Sequence, residues 1–138
     1  MDKALNYLSL ARKGGMAELG EEPVGAITRT GKGYLVVVAG DASDHTWRRA
    51  KSFVAGTSQQ CVRLACTKEE LGFVVGRTSL AIAAITDAPL ALALVKSLGE
   101  PEKYKEAIAA LEEKTQKLKK RQSEAKAHQR NVRMGKKK

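Results

Sequence analysis

The chain has 138 residues, of which 43% are hydrophobic and only 4% aromatic. This composition predicts one domain whose core is built from Ala, Val, Leu and Ile. No apolar run approaches the roughly 20 residues of a membrane helix, and the start, MDKALNYLSLARKGG, lacks the continuous apolar stretch of a secretory signal. We therefore expect a cytoplasmic monomer with no membrane partner.

The net charge of +10 is concentrated at the C-terminus. Residues 114–138 hold eleven basic residues and one acidic residue, whereas residues 1–113 hold fourteen of each. Such a segment favours a polyanionic partner, and the alternative is a solubilising tail. The predicted organisation is a domain over residues 1–99, followed by a charged helix and basic tail over residues 100–138.

The first half of the chain alternates helical and extended patterns. Apolar spacing predicts a helix over residues 4–13, and a short edge strand follows at 16–19. Gly20–Pro23 is typical of a helix start, because acids suit the positive end of the helix dipole and proline suits the first position. Gly31 ends that helix. The apolar, β-branched run at 34–39 predicts a strand buried on both faces.

The second half continues the alternation, which predicts a mixed or mostly parallel sheet with helices on both faces. Ser43 or Asp41 is expected to cap the next helix. Thr67 and Glu70 have the spacing of a capping box, in which each side chain bonds the main chain of the other. The predicted elements are helices at 44–54, from 68, at 88–98 and from 100 to about 127, and strands at 61–65 and 81–85.

No catalytic residue, metal site or cofactor is predicted. His45 on the first turn of a helix is typical of a surface residue. The spacing of the carboxylates Asp41, Asp44 and Glu22 does not demand an enzyme, although that class stays as the weakest alternative. The two cysteines, Cys61 and Cys66, are expected to be small buried hydrophobes without a disulfide.

Trp47 is the only tryptophan and lies among the basic residues Arg48, Arg49 and Lys51. It has two interpretations. It packs as an apolar anchor, or its exposed ring stacks on a base of a nucleic acid.

Several junction motifs together resemble the kink-turn-binding ribosomal protein family, closest to its bacterial YlxQ-like branch. They are LSLARKGG, GEE before the second helix, TGKGYLVVVAGDAS, TKEELGFVVGRT and SLAIAAITD. The resemblance covers about residues 8–98. It implies a three-layer α/β/α sandwich with a small mixed sheet and RNA binding without catalysis.

The resemblance implies an RNA site whose first part is the start of the second helix. Gly20 lets the backbone approach a phosphate, and free amides attract it. Archaeal members use polar side chains here on sheared G·A pairs, and they carry Asn, Glu and Lys where this chain has Glu22, Pro23 and Ala26. Glu21 or Glu22 can accept from a guanine amino group. The alternative is that both acids only compensate the helix dipole.

The second implied part is the loop at 40–43, where Asp41 shapes the site and Lys32 reaches the RNA backbone. The alternatives are a helix cap and an exposed loop cation. In the third part, residues 76–81, an apolar segment stacks under an extruded nucleotide; Arg77 contacts phosphate or a base, and Leu80 is either a platform or core. The implied RNA-binding residues are Gly20, Glu21, Glu22, Lys32, Asp41, Arg77, Thr78, Ser79, Leu80 and Ala81, with tail phosphate contacts from Lys117, Lys119, Lys120 and Arg121.

The function predicted from the sequence is a non-enzymatic RNA-binding protein of ribosomal type. Its domain would recognise a kink-turn-like RNA, with the ribosome as a candidate partner, and the tail would add phosphate contacts. Two alternatives stay open. The same fold can serve as a protein-docking module, or the tail alone can drive non-specific RNA binding.

Overall fold

The computed structural model describes residues 2–136, in which six helices and four strands follow one another. Every predicted element is present, with small changes in its bounds. The elements are α1 (Asp2–Lys13), β1 (Ala17–Leu19), α2 (Glu21–Arg29), β2 (Leu35–Val38), α3 (Asp44–Val54), β3 (Gln60–Arg63), α4 (Lys68–Phe73), β4 (Ile82–Ile85), α5 (Ala88–Ser97) and α6 (Lys105–Lys136).

The four strands form one mixed sheet in the order β1-β4-β2-β3. β2 and β3 are parallel, while β4 runs antiparallel to both β1 and β2. Helices α2 and α3 pack against each other and the sheet, whereas α1, α5 and α6 form a second packed group. The chain is therefore an α/β/α sandwich with a C-terminal helix, as predicted.

The core lies around the two central strands, β2 and β4. All four residues of each are buried, which explains why neither strand alternates apolar with polar positions. The small side chains Ala83 and Ala84 in β4 let helices approach the sheet closely. The larger core side chains are aliphatic: Leu8, Leu35, Leu64, Leu71, Ile85, Leu94 and Leu111.

Local capping signals set the helix starts. The Thr67 hydroxyl accepts a hydrogen bond from the Glu70 amide, and the Glu70 carboxylate accepts one from the Thr67 amide, so the predicted capping box is confirmed. Ser43 caps α3 by accepting from the Thr46 amide at 3.2 Å. Asp87 caps α5 in the same way. Each cap satisfies an amide that the first turn of the helix leaves without a partner.

Helix α6 begins later and extends further than predicted. Residues 101–104 form turns, so the helix starts at Lys105 rather than at Glu100. Its first part packs on the sandwich through the buried residues Ala107, Leu111 and Thr115. The side chains from 116 to 125 are exposed. The last two basic residues, 137 and 138, lie outside the described residues. Among residues 2–136, no helix has both the length and the apolar character needed to cross a membrane.

Thr115 gives a test of packing between α6 and the sandwich. Its hydroxyl is buried and has no hydrogen-bond partner among the described residues. Thr115→Val removes an unsatisfied polar group and keeps the shape, so we expect the free energy of unfolding in urea to rise by about 1 kcal/mol. Thr28→Val is the matched control, because the buried Thr28 hydroxyl donates to the Val24 carbonyl at 2.9 Å. That variant should lose stability, and a loss in both variants would show that the Thr115 hydroxyl is satisfied.

Candidate nucleic-acid interface

Three loops meet at one end of the central strands, β2 and β4, because these two strands are antiparallel. In the antiparallel register, Val38 at the end of β2 lies opposite Ile82 at the start of β4. The Ala39 amide donates to the Ala81 carbonyl at 2.9 Å, and the Gly20 amide donates to the Ile82 carbonyl at 3.0 Å. The start of α2, the loop after β2 and the loop before β4 are thereby brought together.

The start of α2 exposes main-chain donors. Gly20 precedes the helix with φ +99°, a conformation that favours glycine, and no side chain caps the helix there. The amides of Glu21 and Glu22 belong to the first turn, which has no intrahelical acceptors for them. Pro23 is the third helical residue rather than the predicted first, and at that position a missing N–H costs no helix hydrogen bond.

Glu21 is held by a neighbouring helix. Its Oε1 atom lies 2.6 Å from Nε of Arg49 in α3, and both side chains are about half exposed. The Arg49 guanidinium also lies over the Phe53 ring, 5.1 Å from its centroid. Glu21 thus links α2 to α3 through a half-exposed ion pair, and a role as an acceptor for a guanine amino group would require this pair to break. Glu22 is exposed and lies next to it.

Asp41 ties the loop after β2 to helix α4. Its Oδ1 atom accepts from the Lys68 amide at 2.8 Å. Of the two candidates for the cap of α3, Ser43 therefore takes that role and Asp41 supports α4 instead. The loop is also held by Arg63, whose Nη2 donates to the Ala42 carbonyl at 2.7 Å. Arg63 was not among the predicted site residues, although a charged residue in an apolar strand was an available signal.

The loop before β4 is supported from below by Gly72. A methyl group on Gly72 would lie 2.9 Å from the Arg77 carbonyl oxygen and from the Ser79 main chain, so only glycine allows this approach. Arg77, Thr78 and Ser79 are exposed, whereas Leu80 is 4% exposed. Of the two interpretations of Leu80, platform and core, its burial favours the core. Ala81 is half-buried.

Arg77 extends to the start of α2. Its Nη1 atom lies 3.9 Å from the position that a Cβ on Gly20 would take. A guanidinium beside the positive end of a helix dipole is unfavourable unless an anion lies between them. Arg77 and the first amides of α2 therefore form a place where a phosphate would be stabilised from two sides.

Lys32 does not lie beside the loop after β2. It is in the turn that precedes β2, and its amide donates to the Ile27 carbonyl at 3.4 Å. The residues that start β2 pair with the end of β4, so Lys32 lies at the opposite end of the central strands from Asp41. The prediction that these two residues share one site is wrong, because a strand runs between them.

The predicted tail contacts Lys117, Lys119, Lys120 and Arg121 are all exposed on α6. Lys117 pairs with Glu113 at 3.1 Å, one helical turn earlier. Exposed pairs of this kind are weak, so Lys117 remains available to a phosphate.

The other candidates have structural surroundings. Cys61 and Cys66 are free thiols, and burial raises the pKa of Cys61 to about 12 and also raises the pKa of Cys66. His45 is exposed. No cluster of His, Cys, Asp and Glu suited to a metal ion occurs in the described part of the chain. Trp47 is half-buried and packs against the core, as one of its two interpretations predicted.

Comparison with protein-family models and with curated proteins gives no match. Solved structures do match. A protein of unknown function from Bacillus halodurans has a TM-score of 0.66 and 23% identity over 71% of this chain and 98% of its own. A 15.5 kDa RNA-binding protein of Giardia lamblia has a TM-score of 0.54 and 19% identity over 79% of this chain and 87% of its own. These similarities establish a shared fold.

Proposed function

We propose that this protein binds folded RNA without catalysis, at the end of the central strands where Gly20, Asp41 and Arg77 meet. The observation that carries the proposal is the position of the Arg77 guanidinium beside the uncapped start of α2. The fold shared with an RNA-binding protein of Giardia lamblia supports RNA as the ligand class.

This end of the strands suits contacts with the RNA backbone better than contacts with the edges of the bases. Arg77 and the first amides of α2 donate to phosphate oxygens, and the exposed hydroxyls of Thr78 and Ser79 add donors. Glu21 contributes indirectly by fixing α2 against α3. Recognition would then follow the shape of a bent RNA, with the loop from Arg77 to Ala81 beneath an unpaired nucleotide.

The finer form of the proposal is a kink-turn RNA of ribosomal type, bound by a member of the bacterial YlxQ-like branch. It rests on the resemblance of the junction motifs. Glu22, Pro23 and Ala26 stand where archaeal members carry Asn, Glu and Lys, so fewer base contacts form and phosphate contacts dominate. The exposed basic residues of α6 add sequence-independent contacts.

Sequencing the RNA that is crosslinked to the full-length protein in cells tests this function. We expect reads concentrated on internal loops that form kink-turns, in ribosomal or other structured RNA. Even coverage of all transcripts would reduce the protein to a binder driven by its basic tail, and absence of crosslinked RNA would reject the function.

Protein docking is a second candidate because one apolar side chain is unusually exposed. Phe73 on α4 is 83% exposed beside a groove of about 520 Å³ that includes Leu5 and Val74. Exposed aromatic patches of this kind mark protein contacts. Affinity purification of the unaltered protein and of Phe73→Ala tests this function. It is supported only if protein partners are recovered with the unaltered protein and lost with the variant, and if RNA is not recovered in the same way.

A further inference from the structure

A groove runs along the outer side of β3, the last strand of the sheet. One part, of about 310 Å³, lies between Trp47 of α3 and Tyr104 before α6, with Cys61 at its base. A second part, of about 240 Å³, is lined by Leu64 and Leu98. Arg63, Lys103 and Tyr104 line both parts, so the two lie side by side.

β3 exposes main-chain groups to this groove because it is the last strand of the sheet. The Gln60 amide donates to the Tyr34 carbonyl and the Leu64 amide to the Val38 carbonyl, both toward β2. The parallel ladder alternates, so the N–H and C=O groups of Cys61 and Arg63 point outward. Only two residues offer such groups, which is a short ladder for an added peptide strand.

Two aromatic rings flank the groove, each with cations beside it. Lys51 Nζ lies 5.5 Å and the Arg63 guanidinium carbon 5.6 Å from the centroid of the Trp47 ring. Lys103 Nζ lies 5.3 Å from the centroid of the Tyr104 ring. Both rings are half-buried and pack against the core. They are therefore held in place, as a stacking surface requires.

The cations beside the groove, Arg63, Lys51 and Lys103, outnumber its acids by one. Lys51 and Lys103 are exposed, so they can leave the ring faces when a base stacks there. Arg63 is fixed by its bond to the Ala42 carbonyl, and its buried Nε has no acceptor among the described residues. The acids in the groove are Glu106 and Glu100, the latter 4.0 Å from Lys103.

We propose that this groove binds a single-stranded RNA segment, with one base stacked on Trp47, another on Tyr104, and phosphates on Arg63, Lys51 and Lys103. The inference rests on the proposed function, because it extends the same RNA beyond the folded part. The bond between Arg63 and Ala42 places the groove next to the loop that carries Asp41. A strand leaving the folded RNA at that loop would enter the groove directly.

Trp47 makes the proposal directly measurable, because it is the only tryptophan in the chain. Ten-nucleotide oligouridylate is titrated into the full-length protein while tryptophan fluorescence is recorded. We expect saturable quenching, since a stacked base quenches the indole, and about tenfold weaker binding for Tyr104→Leu, which removes one stacking surface. Phe73→Ala, the matched loss of an exposed aromatic elsewhere, should leave the titration unchanged. The urea unfolding midpoint of each variant shows that it is folded.

The outcomes separate this site from the proposed function. Quenching that Arg77→Ala leaves intact supports an independent groove. Saturable binding by anisotropy without any change in Trp47 fluorescence would place the oligonucleotide outside the groove and overturn the proposal. Quenching by an acidic peptide and not by the oligonucleotide would also overturn it and identify a protein partner. Binding of folded RNA is measured separately with a blunt-ended RNA. Because this RNA has no single-stranded extension, it reports on the proposed function and not on the groove.

Discussion

An Arg77→Ala variant is expected to bind a kink-turn RNA about 10- to 100-fold more weakly than the unaltered protein. The guanidinium is exposed and lies close to Gly20 at the start of α2, where the proposed function has it donate charge-assisted hydrogen bonds to a phosphate. Such a bond is worth about 1.5–3 kcal/mol, and each 1.4 kcal/mol is a factor of ten in affinity. Fluorescence anisotropy with a labelled RNA at fixed salt measures the change.

Lys32→Ala is the matched control for Arg77, because it also removes one exposed cation. Lys32 lies at the opposite end of the central strands, so its loss should change affinity by about twofold at most through long-range electrostatics. Equal losses of affinity in the two variants would show that the RNA does not bind at the proposed end of the strands. A larger loss for Lys32→Ala would restore the site that the sequence predicted around that residue.

Removal of residues 119–138 is expected to weaken binding to every RNA and to flatten its dependence on salt. The segment carries nine basic residues and one acidic residue. Each phosphate contact that is lost lowers the slope of log K against log salt by about 0.7–0.9. The deletion begins after Leu118 because Thr115 and Leu111 are buried against the sandwich. Affinities for a kink-turn RNA and a plain duplex, measured from low to moderate salt, provide the comparison.

A tail with the same composition in scrambled order is the control for that deletion. If the tail contacts phosphates and not bases, as proposed, the scrambled protein should keep both its affinity and its salt slope. An unchanged slope after deletion would contradict the role of the tail. Weakening of kink-turn binding alone would instead assign specific contacts to α6.

Features that depend on neighbouring residues were predictable from the sequence. The Thr67–Glu70 capping box and the Ser43 cap act within a few positions. The strand over β2 was recognisable because a continuous β-branched run suits a strand covered on both faces. These local signals agreed with one another, and the sandwich followed from their order.

Features of the site that depend on distant residues were not predictable. The ion pair of Glu21 with Arg49 spans 28 positions, and the bond from Lys68 to Asp41 spans 27. Lys32 was misplaced because a short motif gives no indication of the sheet edge at which it lies. Leu80 was ambiguous because its burial depends on how the loop returns over Gly72. Arg63 was missed because its partner, the Ala42 carbonyl, is a main-chain group 21 positions away.

The central claim is that folded RNA binds at the end of the central strands, against the start of α2 and the loop that carries Arg77. Ultraviolet crosslinking of the full-length protein to a kink-turn RNA, with the modified peptides identified by mass spectrometry, tests it most directly. We predict nucleotide adducts on the peptides that contain residues 20–22 and 77–81. Adducts confined to residues 119–138 would contradict the claim.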